Sequence, residues 1–229
     1  MAGRMPEFAD FTFAEKLYMG LANVERIFIA ELDPVYCVVA AVLVLLVYRK
    51  TGDYRKTLLA GIPALLLFGQ AVVRVSHPSL KKVFVRPEQT THWDWHALVT
   101  YMPLVFLVLS VWGILYALWQ LADGAWKHYL WTAFLLAGGF AMGVVMGFSP
   151  TIYASANRPY LYLYFVLIYV CADAVWNMGG MKAVWKTGSS DAVRKMPVPE
   201  KLMFTVLGLL VLANILDVTR MCWLLGRIL

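Results

Sequence analysis

A short polar stretch in the first half of the chain carries the residues best suited to chemistry. It reads HWDWH from His92 to His96, with Asp94 at its centre, and lies directly before a long apolar segment. Imidazole and carboxylate groups bind borderline divalent metals, so His92, Asp94 and His96 are candidate ligands of such a metal. In an extended segment the three side chains share one face, whereas in a helix only the two histidines do.

Asp94 also has two interpretations that need no metal. As a general base or a cation ligand it would be the catalytic residue, and Lys81, Lys82 and Arg86 upstream would attract an anionic headgroup or phosphate. The alternative is an interfacial belt, because tryptophan rings are enriched at the headgroup boundary beside an apolar helix.

Polar residues inside apolar segments form a second set of candidates. They are Asp173 in one segment, and Asn214, Asp217 and Arg220 in the last one. Because a charge in hydrocarbon is costly, such residues face a bundle interior or water and are functional candidates by default. Asp217 and Arg220 also have the spacing of a structural ion pair across one helical turn, and Asp173 lies near a segment end, within reach of the interface.

The apolar segments that carry these residues predict the fold. Hydrophobic residues make up 61% of the chain and charged residues 15%, whereas globular domains contain roughly 25% charged residues. So much apolar surface requires lipid around it. We predict an all-α, polytopic transmembrane bundle over 33–229. Its spans, about six in number, are expected near 34–48, 57–75, 97–121, 129–153, 159–176 and 202–225.

The N-terminal segment, residues 1–32, predicts a further helix outside these spans. Thr12 and Glu15 have the spacing of a capping box. Apolar residues follow at helical spacing, while Glu25 and Arg26 fall largely elsewhere; the apolar ones are Phe13, Leu17, Leu21, Val24 and Phe28. This pattern favours an amphipathic, interfacial helix on the membrane surface, and the alternative is a helix packed on another subunit.

Charge and cysteine content exclude other classes. The net charge of +6 comes from basic residues spread between the hydrophobic segments. There they contact the headgroups of the lipid bilayer, so no nucleic acid is expected as a partner. Lysine and arginine are nearly balanced between the two sides, which leaves the orientation undecided. The three cysteines, Cys37, Cys171 and Cys222, all lie in apolar segments and are expected to be packing residues.

Three glycines on the predicted fourth span form a packing motif. Gly139, Gly143 and Gly147 repeat a small-xxx-small spacing, which lets two helices approach until their backbones touch. The partner helix lies either within the chain or in a second copy. A homo-oligomer through this face is therefore one expectation.

The end of this span carries a longer motif. From Gly147 the chain reads GFSPTIYASANRP and continues into the aromatic run YLYLYF. Over about residues 131–175 it resembles a segment near the C-terminal end of large, mostly uncharacterised bacterial polytopic proteins related to membrane glycosyltransferases. The resemblance is carried by Ser149, Pro150, Tyr153, Ser155 and Arg158. It implies a place in the bacterial inner membrane and chemistry on a glycan.

The residues of this motif also have an interpretation of their own. Arg158 offers a forked donor for a phosphate or carboxylate, and Tyr153 offers a ring that stacks on a sugar face. The alternative is a capped interfacial turn with the arginine on lipid headgroups. In a six-span chain the segments carrying Asp94 and Arg158 lie on the same side of the membrane.

Together these features favour a membrane protein that binds or acts on lipid-linked sugars or envelope glycan precursors. In this interpretation Asp94 is catalytic, and Arg158, Tyr153, Lys81, Lys82 and Arg86 bind the substrate. One alternative is a small-solute or ion transporter or channel that uses the charged residues within the spans. The other is a non-catalytic membrane subunit of a larger complex. The sequence leaves open whether the protein is an enzyme.

Overall fold

The computed structural model describes residues 6–76, 98–122, 124–149 and 160–177, and every regular element within them is helical. The α-helices are α1 (Phe13–Glu25), α2 (Pro34–Thr51), α3 (Tyr54–Ala60), α4 (Ile62–Ser76), α5 (Leu98–Ala122), α6 (Trp126–Val145) and α7 (Leu161–Asn177). A π-helical turn, Arg26–Ala30, continues α1, and 3-10 turns occupy Pro6–Asp10 and Met146–Phe148. The predicted all-α fold is confirmed.

The first helices begin where local capping predicts. The Thr12 hydroxyl accepts from the Glu15 amide at 3.3 Å, and the Glu15 carboxylate accepts from the Thr12 amide at 2.7 Å, so the capping box is formed. Asp33 caps α2 by accepting from the Tyr36 amide at 3.0 Å. α2 runs to Thr51, past the predicted end at residue 48, and Gly52 ends it in a left-handed conformation with φ of 61°.

The predicted second span is two helices rather than one. α3 and α4 are bent by 62° at Gly61, and Pro63 follows in the first turn of α4. Proline has no amide hydrogen to donate and its ring clashes with the carbonyl four residues earlier, which explains a break at this point. The Pro63 ring packs against Gly113 of α5, where any side chain would collide with it.

The described helices are those of an integral membrane protein. Pro34–Thr51, Thr100–Ala122 and Trp126–Phe148 are each long and apolar enough to cross a bilayer, and the bent α3–α4 pair makes a fourth span if counted as one. α7 is a shorter apolar helix, and the span predicted at 202–225 lies outside the described residues. Large apolar side chains point outward from several helices, as lipid contact requires; they include Phe68, Val108, Trp131, Phe134 and Phe165.

α1 is a buried element over its second half, which corrects the expected polar face. Phe13 is 71% exposed, but nearly every side chain from Tyr18 to Ala30 is buried. Glu25, expected on the polar face, is only 2% exposed, and Arg26 is largely covered. The reason is that α1 packs against α5, α6 and the turn after α6, so most of its circumference is enclosed rather than one stripe.

The glycines of α6 have their close contacts within the chain. A Cβ on Gly139 would meet Leu163 of α7 at 3.0 Å, and one on Gly143 would meet Val24 at 2.8 Å. A Cβ on Gly147 would overlap the backbone of α1 at Lys16 and Gly20. The small-xxx-small spacing thus seats α1 and α7 on α6. A homo-oligomer through the same glycines stays a prediction.

The chain divides into two compact units, Met1–Ala174 and Val175–Leu229. The first unit contains α1 to α6 and most of α7, so the N-terminal segment belongs to the same unit as the helices that follow it. Of the second unit, residues 175–177 are within the described part of the chain. The predicted division at residue 33 stays a prediction.

Gly20→Ala should destabilise the protein, because the added methyl group would overlap the carbonyl oxygen of Val144 and push α1 away from α6. Overpacking of this kind costs about 1–3 kcal/mol, which the better helix propensity of alanine offsets by about 1 kcal/mol. Gly138→Ala on α6 is the matched control, since its added Cβ would have no contact within 4 Å beyond the adjacent backbone of its own helix. Thermal unfolding in detergent, followed by circular dichroism, should show a lower Tm for Gly20→Ala only. Equal Tm values for the two variants would contradict the close approach.

Candidate polar site at the capped end of the bundle

α1 contacts the ends of three helices at one end of the bundle. The Tyr18 hydroxyl donates to the carbonyl oxygen of Thr100, near the start of α5, at 2.8 Å. The α1 backbone meets Gly147 at the end of α6, and the Asn23 amide donates to the hydroxyl of Tyr160, directly before α7. We call this end, covered by α1 and the π-helical turn, the capped end.

The same end receives the boundaries of two segments that carry predicted site residues. Residues 77–97 lie between α4 and α5, and residues 150–159 lie between the turn after α6 and Tyr160. The π-helical turn packs against α4 and α5, and α1 contacts the two boundaries of the second segment at Gly147 and Tyr160. The cap therefore touches every described helix from which these segments depart or to which they return.

Glu25 is the most unusual ionisable group of the capped end. Its side chain is buried, and no hydrogen bond or ion pair joins it to another residue of the described part of the chain. Burial raises the pKa of Glu25 to about 8. The pKa of Tyr18, which shares its face of α1, rises to about 12 through burial and, second, through the charge of Glu25. At neutral pH Glu25 is therefore mostly a neutral acid, which can donate as well as accept a hydrogen bond.

A connected polar chain lies beside Glu25. The Arg26 guanidinium donates to the Asn23 side-chain oxygen at 3.0 Å and pairs with the Glu31 carboxylate at 3.5 Å. Asn23 in turn donates to Tyr160, and both of these side chains are fully buried. Each buried polar group of this chain has a partner, so hydrogen bonds offset the cost of removing it from water. The chain thereby fixes the start of α7 on α1.

Asp33 makes the second connection to α7. Its carboxylate caps α2 and accepts from the Tyr164 hydroxyl at 2.7 Å. Burial raises the pKa of Asp33 above its usual range, although the hydrogen bonds from Tyr164 and the Tyr36 amide act in the opposite direction. The Phe28 ring packs against both tyrosines at the start of α7. Its centroid is 5.1 Å from that of the Tyr164 ring and 6.1 Å from that of the Tyr160 ring. The start of α7 is thus held by two polar contacts and an aromatic cluster.

The opposite end of the bundle contains a different pair. His128, near the start of α6, forms a hydrogen bond with Asp173, near the end of α7, at 2.7 Å. Their side chains are 40% and 18% exposed. Asp173, which the sequence placed among the polar residues of the spans, therefore has a partially exposed imidazole as its partner at a helix end.

Most sequence-predicted site residues lie outside the described residues. These are the candidates in 77–97 and 150–159, namely Lys81, Lys82, Arg86, His92, Asp94, His96, Tyr153 and Arg158, and those of the last span, Asn214, Asp217 and Arg220. Within the described residues, no group of three His, Cys, Asp or Glu side chains is arranged to hold a metal ion. The metal site predicted at His92, Asp94 and His96 stays a prediction.

The polar contacts of the cap are not predictable from helical spacing alone. The spacing places Glu25 and Arg26 largely outside the apolar stripe, and it does not identify Asn23, Asp33 and Tyr160 as partners. The sequence contains one signal of this burial: the charged residues Glu25 and Arg26 directly precede the apolar run IFIA. In the structure this run is a buried turn. A charged residue inside so apolar a stretch is costly unless it is neutralised or paired.

Glu25→Gln should remove a pH dependence of stability. The pKa of Glu25 is about 8 in the folded chain against an ordinary value of 4.5. Its contribution is therefore complete below pH 4.5 and is lost as the pH rises through about 8. The wild type should lose up to a few kcal/mol between about pH 5 and pH 9, at about 1.4 kcal/mol per pKa unit, and Glu25→Gln should lose much less.

Thermal unfolding in detergent across this pH range measures the difference. Asp10→Asn is the control, because Asp10 is an exposed carboxylate in the turn before α1. It should keep the wild-type slope of Tm against pH. A Glu25→Gln protein with the wild-type slope would show that Glu25 does not titrate in this range.

The capped end therefore combines a buried neutral acid, a paired polar chain and the boundaries of two segments rich in candidate residues.

A scan against protein-family models, a search of curated proteins and a search of solved structures each found no match to this chain.

Proposed function

We propose that this integral membrane protein binds the headgroup of a lipid-linked sugar, or a related envelope glycan precursor, at the capped end of its bundle. One observation carries the proposal. α1 is hydrogen-bonded both to Thr100, close after the segment that contains Asp94, and to Tyr160, close after the segment that contains Arg158.

Chain length limits how far the two candidate residues lie from these anchors. Asp94 comes six residues before Thr100 and Arg158 two residues before Tyr160. Because a residue spans at most about 3.6 Å, the chain limits the two Cα–Cα separations to about 22 Å and about 7 Å. Both anchors contact one helix, which supports the proposal that an acid and a forked cation share one end of the bundle.

The residue types at this end suit a phosphate-linked sugar. Arg158 supplies two parallel N–H donors for a phosphate, and Lys81, Lys82 and Arg86 add positive charge nearby in sequence. Tyr153 supplies an aromatic face for a sugar ring, and Asp94 supplies a general base or a cation ligand. The lipid part of such a substrate would stay in the bilayer that the outward apolar side chains contact.

The buried cap residues position the site and do not contact the substrate. Asn23 and Tyr160 are completely enclosed, so a bound headgroup has no access to them. Their hydrogen bond fixes the start of α7, and the hydrogen bond of Tyr18 to Thr100 fixes the start of α5. These are the helix ends that follow the segments containing Arg158 and Asp94.

The two alternative functions make different demands. A transporter or channel would need a polar path along the spans, for which Asp173, Asp217 and Arg220 are the candidates. A non-catalytic subunit would need a free docking surface on the N-terminal helix or on the glycine face. Asp173 is paired with His128, which does not favour a transporter over headgroup binding. The glycine face of α6 is covered by α1 and α7, which does not favour a non-catalytic subunit either.

Binding of a polyprenyl-phosphate sugar to the purified protein in nanodiscs is the test. Arg158→Gln should weaken binding about tenfold or more, since hydrogen bonds to charged groups contribute about 1.5–3 kcal/mol. Asp94→Asn should lower binding or turnover, and Tyr18→Phe should weaken binding a few-fold by releasing the start of α5. Asp173→Asn, at the opposite end, is the control and should bind like the wild type.

Two results would contradict the proposal. Unchanged binding in both Asp94→Asn and Arg158→Gln would remove the site. Ion or solute flux in liposomes that is abolished by Asp217→Asn, with no sugar binding in the wild type, would establish transport instead.

A further inference from the structure

The bend between α3 and α4 opens an apolar groove at the end of the bundle opposite the cap. The groove has a volume of about 310 Å³. It is lined by Val44 of α2, by Tyr54, Thr57 and Leu58 of α3, and by Gly61, Ala64 and Leu65 around the bend. Its lining is almost entirely apolar. This volume lies at the lower end of the range of roughly 300–1,000 Å³ that is typical of ligand pockets.

The groove faces outward, toward the lipid. Leu58 and Leu65 are each 52% exposed, and Tyr54 is 71% exposed. Gly61 has no side chain to fill the space between the helices, and a Cβ there would approach Val44 at 3.6 Å. A recess of this shape on the outer surface of a membrane protein is suited to a hydrocarbon chain, because only apolar surface is offered to the occupant.

Positive charge lies beside this recess. Arg55 and Lys56 are exposed on the first turn of α3, next to Tyr54. Arg49 and Lys50 lie at the end of α2, where the Lys50 ammonium donates to the Leu121 carbonyl oxygen at 2.9 Å. The acidic residue among them, Asp53, serves as the N-cap of α3 and accepts from the Arg55 amide.

Exposed aromatic side chains indicate that the groove lies at the depth of the headgroup boundary. Tyr48 is 55% exposed near the end of α2, and Tyr54, which lines the groove, is also exposed. Exposed tyrosines beside lysine and arginine are typical of the depth at which lipid phosphates lie. The hydrocarbon part of a lipid and its phosphate would therefore meet matching surfaces in the right order along the membrane normal.

We infer that this groove holds an acyl chain of an anionic phospholipid, whose phosphate and headgroup lie on Arg55 and Lys56. Four basic residues against one acidic residue between 49 and 56 favour an anionic lipid over a zwitterionic one. The site is independent of the proposed sugar site, since α2 runs from Asp33 at the capped end to Lys50 at this one.

Native mass spectrometry of the full-length chain, purified in detergent, tests the inference with phosphatidylglycerol and phosphatidylcholine of identical acyl chains. The wild type should retain phosphatidylglycerol preferentially. Arg55→Gln with Lys56→Gln should lower the affinity for phosphatidylglycerol about 25-fold, at about fivefold for each charge near the membrane surface. Both side chains are exposed, so the fold should survive the change. Lys127→Gln is the charge control, because Lys127 is exposed at the same end on α6, which does not line the groove.

A second pair of variants tests occupancy of the groove itself. Ala64→Leu fills the recess and should weaken binding of both lipids, whereas Gly69→Leu adds the same side chain on α4 where an added Cβ meets open space. Equal retention of the two lipids by the wild type would overturn the inference, as would an equal loss in Lys127→Gln. Undiminished binding in Ala64→Leu would overturn it as well, since the lipid would then not occupy the groove.

Discussion

The close approach of α1 to the end of α6 is the contact on which the rest of the described structure depends. At Gly20 and Gly147 the two backbones touch, with no room for a methyl group on either side. This contact holds α1 on the end of α6. The second half of α1 and most of the π-helical turn are enclosed, so their buried polar groups need either partners on neighbouring helix ends or a neutral form.

The polar chemistry of the cap is a consequence of that enclosure. Three polar groups of the cap are paired: Asn23 with Tyr160, Arg26 with Glu31, and Asp33 with Tyr164. Glu25 is instead enclosed as a predominantly neutral acid, because burial disfavours its charged form. The hydrogen bonds offset the cost of burying these polar groups, and they also fix the start of α7 on the cap, close to the segment that contains Arg158.

Local rules predicted the helices, and long-range contacts decided the rest. The Thr12–Glu15 capping box and the apolar segments identified the start of α1 and the all-α fold, because their signals lie within a few residues. The burial of Glu25 was missed because it depends on distant helices. Likewise, Asp173 was noticed as a polar residue, but its partner His128 is separated from it by 45 positions. The bend at Gly61 combined a local cause, Pro63, with a packing cause, Gly113, that no periodicity shows.

The proposed function requires the segments containing Asp94 and Arg158 to lie at one end of the bundle, opposite the groove at α3. Labelling intact cells with a membrane-impermeant maleimide tests it most directly. The probes are single cysteines at Ser79, Ser155 and Tyr54 in a chain whose Cys37, Cys171 and Cys222 have been replaced. Ser79 and Ser155 should be labelled from the same side of the membrane, and Tyr54 from the other. Labelling of Ser79 and Ser155 from different sides would contradict it.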